Sequence, residues 1–70
     1  MIDLAARHGT VTEFDAERGI GVVVDEAGET FPFHATAIAD GSRDITVGSR
    51  VQFEVAPGLG RWEATAIEGA

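Results

Sequence analysis

Apolar and polar side chains alternate at a period of two in short stretches of this chain, and glycine or proline separates the stretches. The clearest stretch is residues 50–56. There Val51, Phe53 and Val55 interleave with Arg50, Gln52 and Glu54, which gives an extended strand one apolar face. β-Branched and aromatic residues also gather at residues 10–14, 20–25, 30–34 and 61–67. The pattern predicts five strands over these ranges and an all-β fold. Only Thr36-Ala37-Ile38-Ala39 suits a helix, and it is long enough for a single turn.

The punctuation predicts how the strands connect. Asp25-Glu26-Ala27-Gly28-Glu29 has the composition of a tight turn, so the second and third strands form a hairpin. Ala56-Pro57-Gly58-Leu59-Gly60 closes a second hairpin between the fourth and fifth strands. Asp40-Gly41-Ser42 and Val47-Gly48-Ser49 mark turns in the connector between them. In the third strand Phe31 and Phe33 share one face, and Pro32 and His34 the other. Pro32 has no amide hydrogen to donate, which places it at an edge or beside a bulge. The expected core is Val11, Phe14, Val23, Phe31, Phe33, Ile38, Ile45, Val51, Phe53, Val55 and Ile67. Residues 1–8 read as an N-terminal extension to a domain over residues 9–70, ordered if Ile2 and Leu4 meet an apolar groove.

Charge changes the picture. The chain has 70 residues, twelve carboxylates and five basic side chains, giving a net charge of −7. The basic residues are all arginine: Arg7, Arg18, Arg43, Arg50 and Arg61. Such a field repels phosphate at long range and excludes a broad, sequence-blind electrostatic footprint. With no cysteine and two histidines, no disulfide framework or zinc centre is expected. No apolar run reaches the roughly 18 residues needed to cross a bilayer, so a soluble cytoplasmic protein with no membrane contact is expected. No nucleophile, base and acid are grouped as an active site requires, so neither an enzyme nor a cofactor is expected.

Several segments together resemble a known family. Gly9-Thr10-Val11-Thr12-Glu13-Phe14 is similar to the opening strand of the bacterial cold-shock domain. Arg18-Gly19-Ile20-Gly21-Val22-Val23 resembles its first ribonucleoprotein-type motif, and Phe31-Pro32-Phe33-His34-Ala35-Thr36-Ala37-Ile38 its second. Gly48-Ser49-Arg50-Val51-Gln52-Phe53 resembles the approach to its fourth strand. The resemblance implies a five-stranded antiparallel barrel of the oligonucleotide/oligosaccharide-binding type, whose exposed rings stack on bases of single-stranded RNA or DNA. It also implies the positions of the ligand face: Phe14, Arg18, Ile20, Val22, Pro32, His34, Arg43, Arg61 and Trp62.

The departures from the family pattern fall on that face. Glu13 stands where the family has a tryptophan, Ile20 and Val22 where it has phenylalanines, and Pro32 and Ala35 where it has further rings. Base stacking contributes roughly 1–3 kcal/mol per base, so the expected function is nucleic-acid binding with weakened or altered affinity. Arg18 and Arg43 either contact phosphate or pair with nearby carboxylates, Asp15 or Glu17 for the first and Asp44 for the second. Alternation sets Trp62 on a face with Ala64 and Ala66, opposite the core face of Thr65 and Ile67, where its ring can replace a lost platform. Ile20, Val22, Val24 and Pro32 form an expected apolar strip, which leaves a protein partner as the alternative.

Overall fold

A computed structural model describes residues 3–58 and 60–69. The five expected strands form: β1 (Asp3–Asp15), β2 (Ile20–Asp25), β3 (Thr30–His34), β4 (Arg50–Pro57) and β5 (Trp62–Gly69), with a 3-10 turn over Ala35–Ala37. They pair antiparallel in the order β3-β2-β1-β4-β5. Closure comes from the connector, where Ile38 bridges Ile67 and the Ala39 N–H donates to the Ile67 carbonyl at 2.8 Å. Pro32 lies in β3 at the sheet edge, as its missing donor requires.

β1 is longer than its side-chain pattern indicates. Asp3, Arg7, His8 and Gly9 pair with Val55, Phe53, Gln52 and Val51 of β4, while Gly9 onward pairs with β2. Backbone hydrogen bonding to β4 thus extends the strand through residues whose side chains show no alternation. The proposed docking of Ile2 and Leu4 concerns side chains outside the described residues.

The register shifts at three places, between Asp3 and Arg7 against β4 and at two β-bulges further along, and the latter two matter for what faces solvent. In β1, Val11 opposes Val23 but Glu13 opposes Val22, so Thr12 is the extra residue. Strict alternation from Val11 would turn Glu13 inward. The bulge instead leaves Glu13 exposed and packs Phe14 against the core. In β5, Thr65 opposes Glu54 and Glu68 opposes Gln52, leaving Ala66 and Ile67 opposite a single residue of β4. Ala66 takes φ +50° there. The expectation that Ala64 lies opposite the core is therefore corrected: Ala64 and Ile67 are both buried, on either side of the bulge.

The core otherwise follows the pattern. Val11, Val23, Phe31, Phe33, Ile38, Val51, Phe53, Val55 and Ile67 are buried, whereas Phe14 and Ile45 are only partly so. Each large apolar side chain removed from water contributes roughly 1.5–3 kcal/mol. The Phe31 and Phe53 rings meet at 5.8 Å and 59°.

Above Phe31, the Arg7 guanidinium sits 5.3 Å from the ring centre and binds Asp25 at 3.1 Å. Asp25 also accepts the Glu29 N–H at 2.8 Å and the Ala27 N–H at 3.0 Å, which fixes the β2–β3 turn. The Glu29 bond, assisted by Arg7 and the Ala27 N–H, outweighs desolvation and holds the Asp25 carboxyl below its ordinary value of 3.8. A depressed folded-state pKa stabilises the fold above the unfolded value and loses that contribution as pH falls through the folded one. Asp25→Asn should therefore lower Tm at neutral pH, and the gap from the native protein should close as pH drops below 3.8. A series of thermal melts at stepped pH checks this; a gap independent of pH would remove the charge from the account.

Candidate nucleic-acid interface

The register of β1, β2 and β3 arranges the outer face in rows. Asp15, Ile20 and His34 lie opposite one another in the first, and Glu13, Val22 and Pro32 in the second. Thr10, Val24 and Thr30 complete the third. Residues directly opposite in an antiparallel ladder point to the same face, about 4.5–5.5 Å apart. Such spacing lets neighbours cover one another. Ile20 is 40% exposed while Val22, Val24 and Pro32 are half-buried, so the expected apolar strip is fully open only at its Ile20 end.

Beneath these rows runs an inward row of Phe14, Gly21 and Phe33. The Phe14 and Phe33 rings stack, centres 6.0 Å apart and planes within 6°. Gly21 permits this arrangement: a Cβ there would lie 2.5 Å from Phe33 Cζ and 2.7 Å from the Glu13 carbonyl oxygen. Phe14 is thus both core support and wall of a surface depression of about 320 Å³, shared with Glu13, Asp15, Arg18, Ile20, Gly21 and Val22.

The β1–β2 turn holds a cation beside this depression. Asp15 Oδ1 accepts the N–H groups of Glu17 and Arg18 at 3.1 and 3.2 Å, and Arg18 Nε lies 3.8 Å from Asp15 Oδ2. Arg18 is therefore paired with Asp15, in an exposed and weakly held contact. Arg43 does not make the pair expected with Asp44. It adopts φ +59°, and Asp44 is tied through its backbone to Ser42, whose hydroxyl donates to the Asp44 carbonyl at 3.0 Å. Among the described residues neither Arg43 nor Arg61 has a carboxylate partner. Arg50, by contrast, binds Glu26 at 3.2 Å.

His34 is exposed at the end of β3 and lines a second depression, of about 250 Å³, with Pro57, Glu63 and Thr65. Pro57 pairs with Trp62, which is 46% exposed. The structure thus gathers Arg18, Ile20, Val22, Pro32 and His34 at one face, whereas Phe14, predicted to belong to it, turns inward onto Phe33 and reaches the surface only as a wall of the depression. Arg61 and Trp62 lie on the β4–β5 hairpin, whose Pro57, Glu63 and Thr65 line the second depression, and Arg43 stands apart in the connector. The sequence pattern passed over Thr30 and Thr10, the latter because its place on the face depends on the register that the Thr12 bulge sets.

Residues 7–70 match the family described as the 'Cold-shock' DNA-binding domain. The chain belongs to the cold-shock domain family. It is 35% identical over 63 residues to "Cold shock protein CspC" of Bacillus subtilis, covering 89% of this chain and 96% of that protein. The solved structure "drosophila Unr CSD456" superposes with a TM-score of 0.78 at 27% identity, over 94% of this chain. This chain spans only 27% of that longer one, so the likeness is to one part of it. The fold is accordingly the five-stranded oligonucleotide/oligosaccharide-binding barrel, and the family is one of nucleic-acid-binding modules. In this cold-shock domain the outer rows of β1, β2 and β3 carry mainly aliphatic, proline, threonine and carboxylate side chains.

Proposed function

We propose that the chain binds single-stranded RNA or DNA through the β1–β3 face, more weakly than a ring-rich face of the same shape. The cross-strand rows carry this reading, because they bring Ile20, Val22, Pro32 and His34 together, with Arg18 and the half-buried Phe14 at the adjoining depression. Phe14 and His34 supply ring faces, Ile20 and Val22 supply contact area without a matching π surface, and Trp62 adds a ring on the neighbouring hairpin. Arg18, Arg43 and Arg61 are the cations available to phosphate. A net charge of −7 opposes them, which lowers affinity further. The setting we propose is the cytoplasm, in keeping with a chain that has no cysteine; no helix among the described residues is long and apolar enough to cross a membrane.

Titration with a short single-stranded oligonucleotide at low salt, read by backbone amide shifts and Trp62 fluorescence, tests the proposal. Shifts should cluster at Ile20, Gly21, Val22, Phe33 and His34 and fade as salt rises. With three arginines available, the log–log salt slope should be no steeper than about −2. Absence of shifts at millimolar oligonucleotide would overturn the proposal and point instead to a protein partner docking at Ile20.

A further inference from the structure

Glu13 occupies an unusual position for a carboxylate. The Thr12 bulge turns it onto the outer face, its cross-strand neighbour is Val22, and it forms part of the wall of the depression that Phe14, Ile20 and Val22 also line. Asp15 beside it is committed to the turn amides and Arg18. The Glu13 carboxylate has no hydrogen-bond or ion-pair partner among the described residues. Its two oxygens are therefore free acceptors at the edge of an apolar seat.

Bases differ in what they offer such a group. Guanine presents two adjacent donors on its Watson–Crick edge, N1–H and the exocyclic N2 amine, and matches a carboxylate in a bidentate pair. Adenine and cytosine present one amine beside a ring acceptor. Uracil and thymine flank their single N3–H with two carbonyl oxygens, which a carboxylate repels. Single-stranded bases are read on this edge once they are splayed out of a stack, and pairs with an ionised acceptor are the stronger kind.

We infer that Glu13 is a base-reading acceptor that makes this face select guanine, with the base seated on Ile20 and Val22 and its Watson–Crick edge turned toward β1. The inference rests on the proposed nucleic-acid face and adds its selectivity. Replacing a stacking ring by Glu13 then exchanges sequence-tolerant affinity for discrimination. The carboxylate addresses the base, and the phosphates are left to Arg18, which lines the same depression from the β1–β2 turn.

The test compares a short thymidine oligonucleotide with the same strand carrying one central guanosine, and with the strand carrying inosine, which keeps N1–H but lacks the N2 amine. Binding is measured by calorimetry and amide shifts with the native chain and Glu13→Gln. A good bidentate base contact discriminates by about tenfold, so the guanosine strand should bind about tenfold tighter than thymidine, with inosine between them. In Glu13→Gln, whose side chain keeps one acceptor, the preference should fall to within about twofold, with an unchanged melting temperature because the native carboxylate has no hydrogen-bond or ion-pair partner among the described residues. Equal binding of the three strands by the native chain, or a preference that survives Glu13→Gln, would overturn the inference and leave the face itself intact. Failure of every strand to bind would overturn the nucleic-acid face as well.

Discussion

Gly9→Ala is expected to destabilise the domain by about 3 kcal/mol or more, a large fraction of what a chain this small possesses. Gly9 lies where β1 is hydrogen-bonded on both sides, opposite Asp25 in β2 and Val51 in β4. An added Cβ would overlap the Val24 carbonyl oxygen and lie 3.1 Å from Asp25 Cα. Both are backbone atoms of a paired strand, so no rotamer change relieves the contact and the ladder itself must move. For a domain of this size the loss corresponds to a fall in Tm of roughly 12–24 °C. Gly28→Ala is the control. Its φ of +87° disfavours a side chain, but no atom lies within 4 Å of its Cβ position, so its cost should stay near 1 kcal/mol. Thermal and urea unfolding of the two variants separates the effects; equal losses would show that backbone conformation, rather than the close approach of β2, makes Gly9 necessary.

Glu13→Trp combined with Ile20→Phe should raise affinity for a thymidine oligonucleotide by at least about thirtyfold. Each new ring is worth roughly 1–3 kcal/mol of stacking, and the substitution also removes a carboxylate that repels phosphate. Both side chains are exposed in the native chain, and the core row of Phe14, Gly21 and Phe33 beneath them is untouched. The fold should therefore survive, with Tm within a few degrees of native. The same variant should lose any preference for guanosine, since the acceptor that reads it has gone. Calorimetric titration decides the matter, and an affinity no higher than native would mean that these rows are not where the oligonucleotide lies.

Much of the architecture was legible along the chain because binary patterning, turn chemistry and strand length act locally. Val51, Phe53 and Val55 announce β4, and its neighbours bury them as the alternation demands. Gly28 and the Asp25 side chain mark the β2–β3 turn, and Asp25 accepts two turn amides there. β2 and β3 have the bounds expected of them. Local rules were silent over residues 3–9, where a strand exists because β4 offers it hydrogen-bonding partners. They also mislead at Ala64, since a bulge is a property of two paired strands and leaves no fixed mark on either alone. The Arg43–Asp44 pair failed for a related reason: adjacency in sequence does not bring side chains together when the backbone between them turns left-handed.

The candidate site divides along the same line. Sequence by itself determined which chemistry the face has to work with: few rings, arginine as the basic residue, a surplus of carboxylates and the order of motifs that places the chain in its family. Tertiary structure decided how those groups are used. The Thr12 bulge turned Glu13 outward and Phe14 inward, the register set Ile20 against Asp15 and His34, and the β4–β5 ladder put Trp62 opposite Pro57. Side-chain type is written residue by residue, but the face a residue occupies depends on the phase of its strand relative to its neighbours. One inserted residue reverses that phase for everything beyond it.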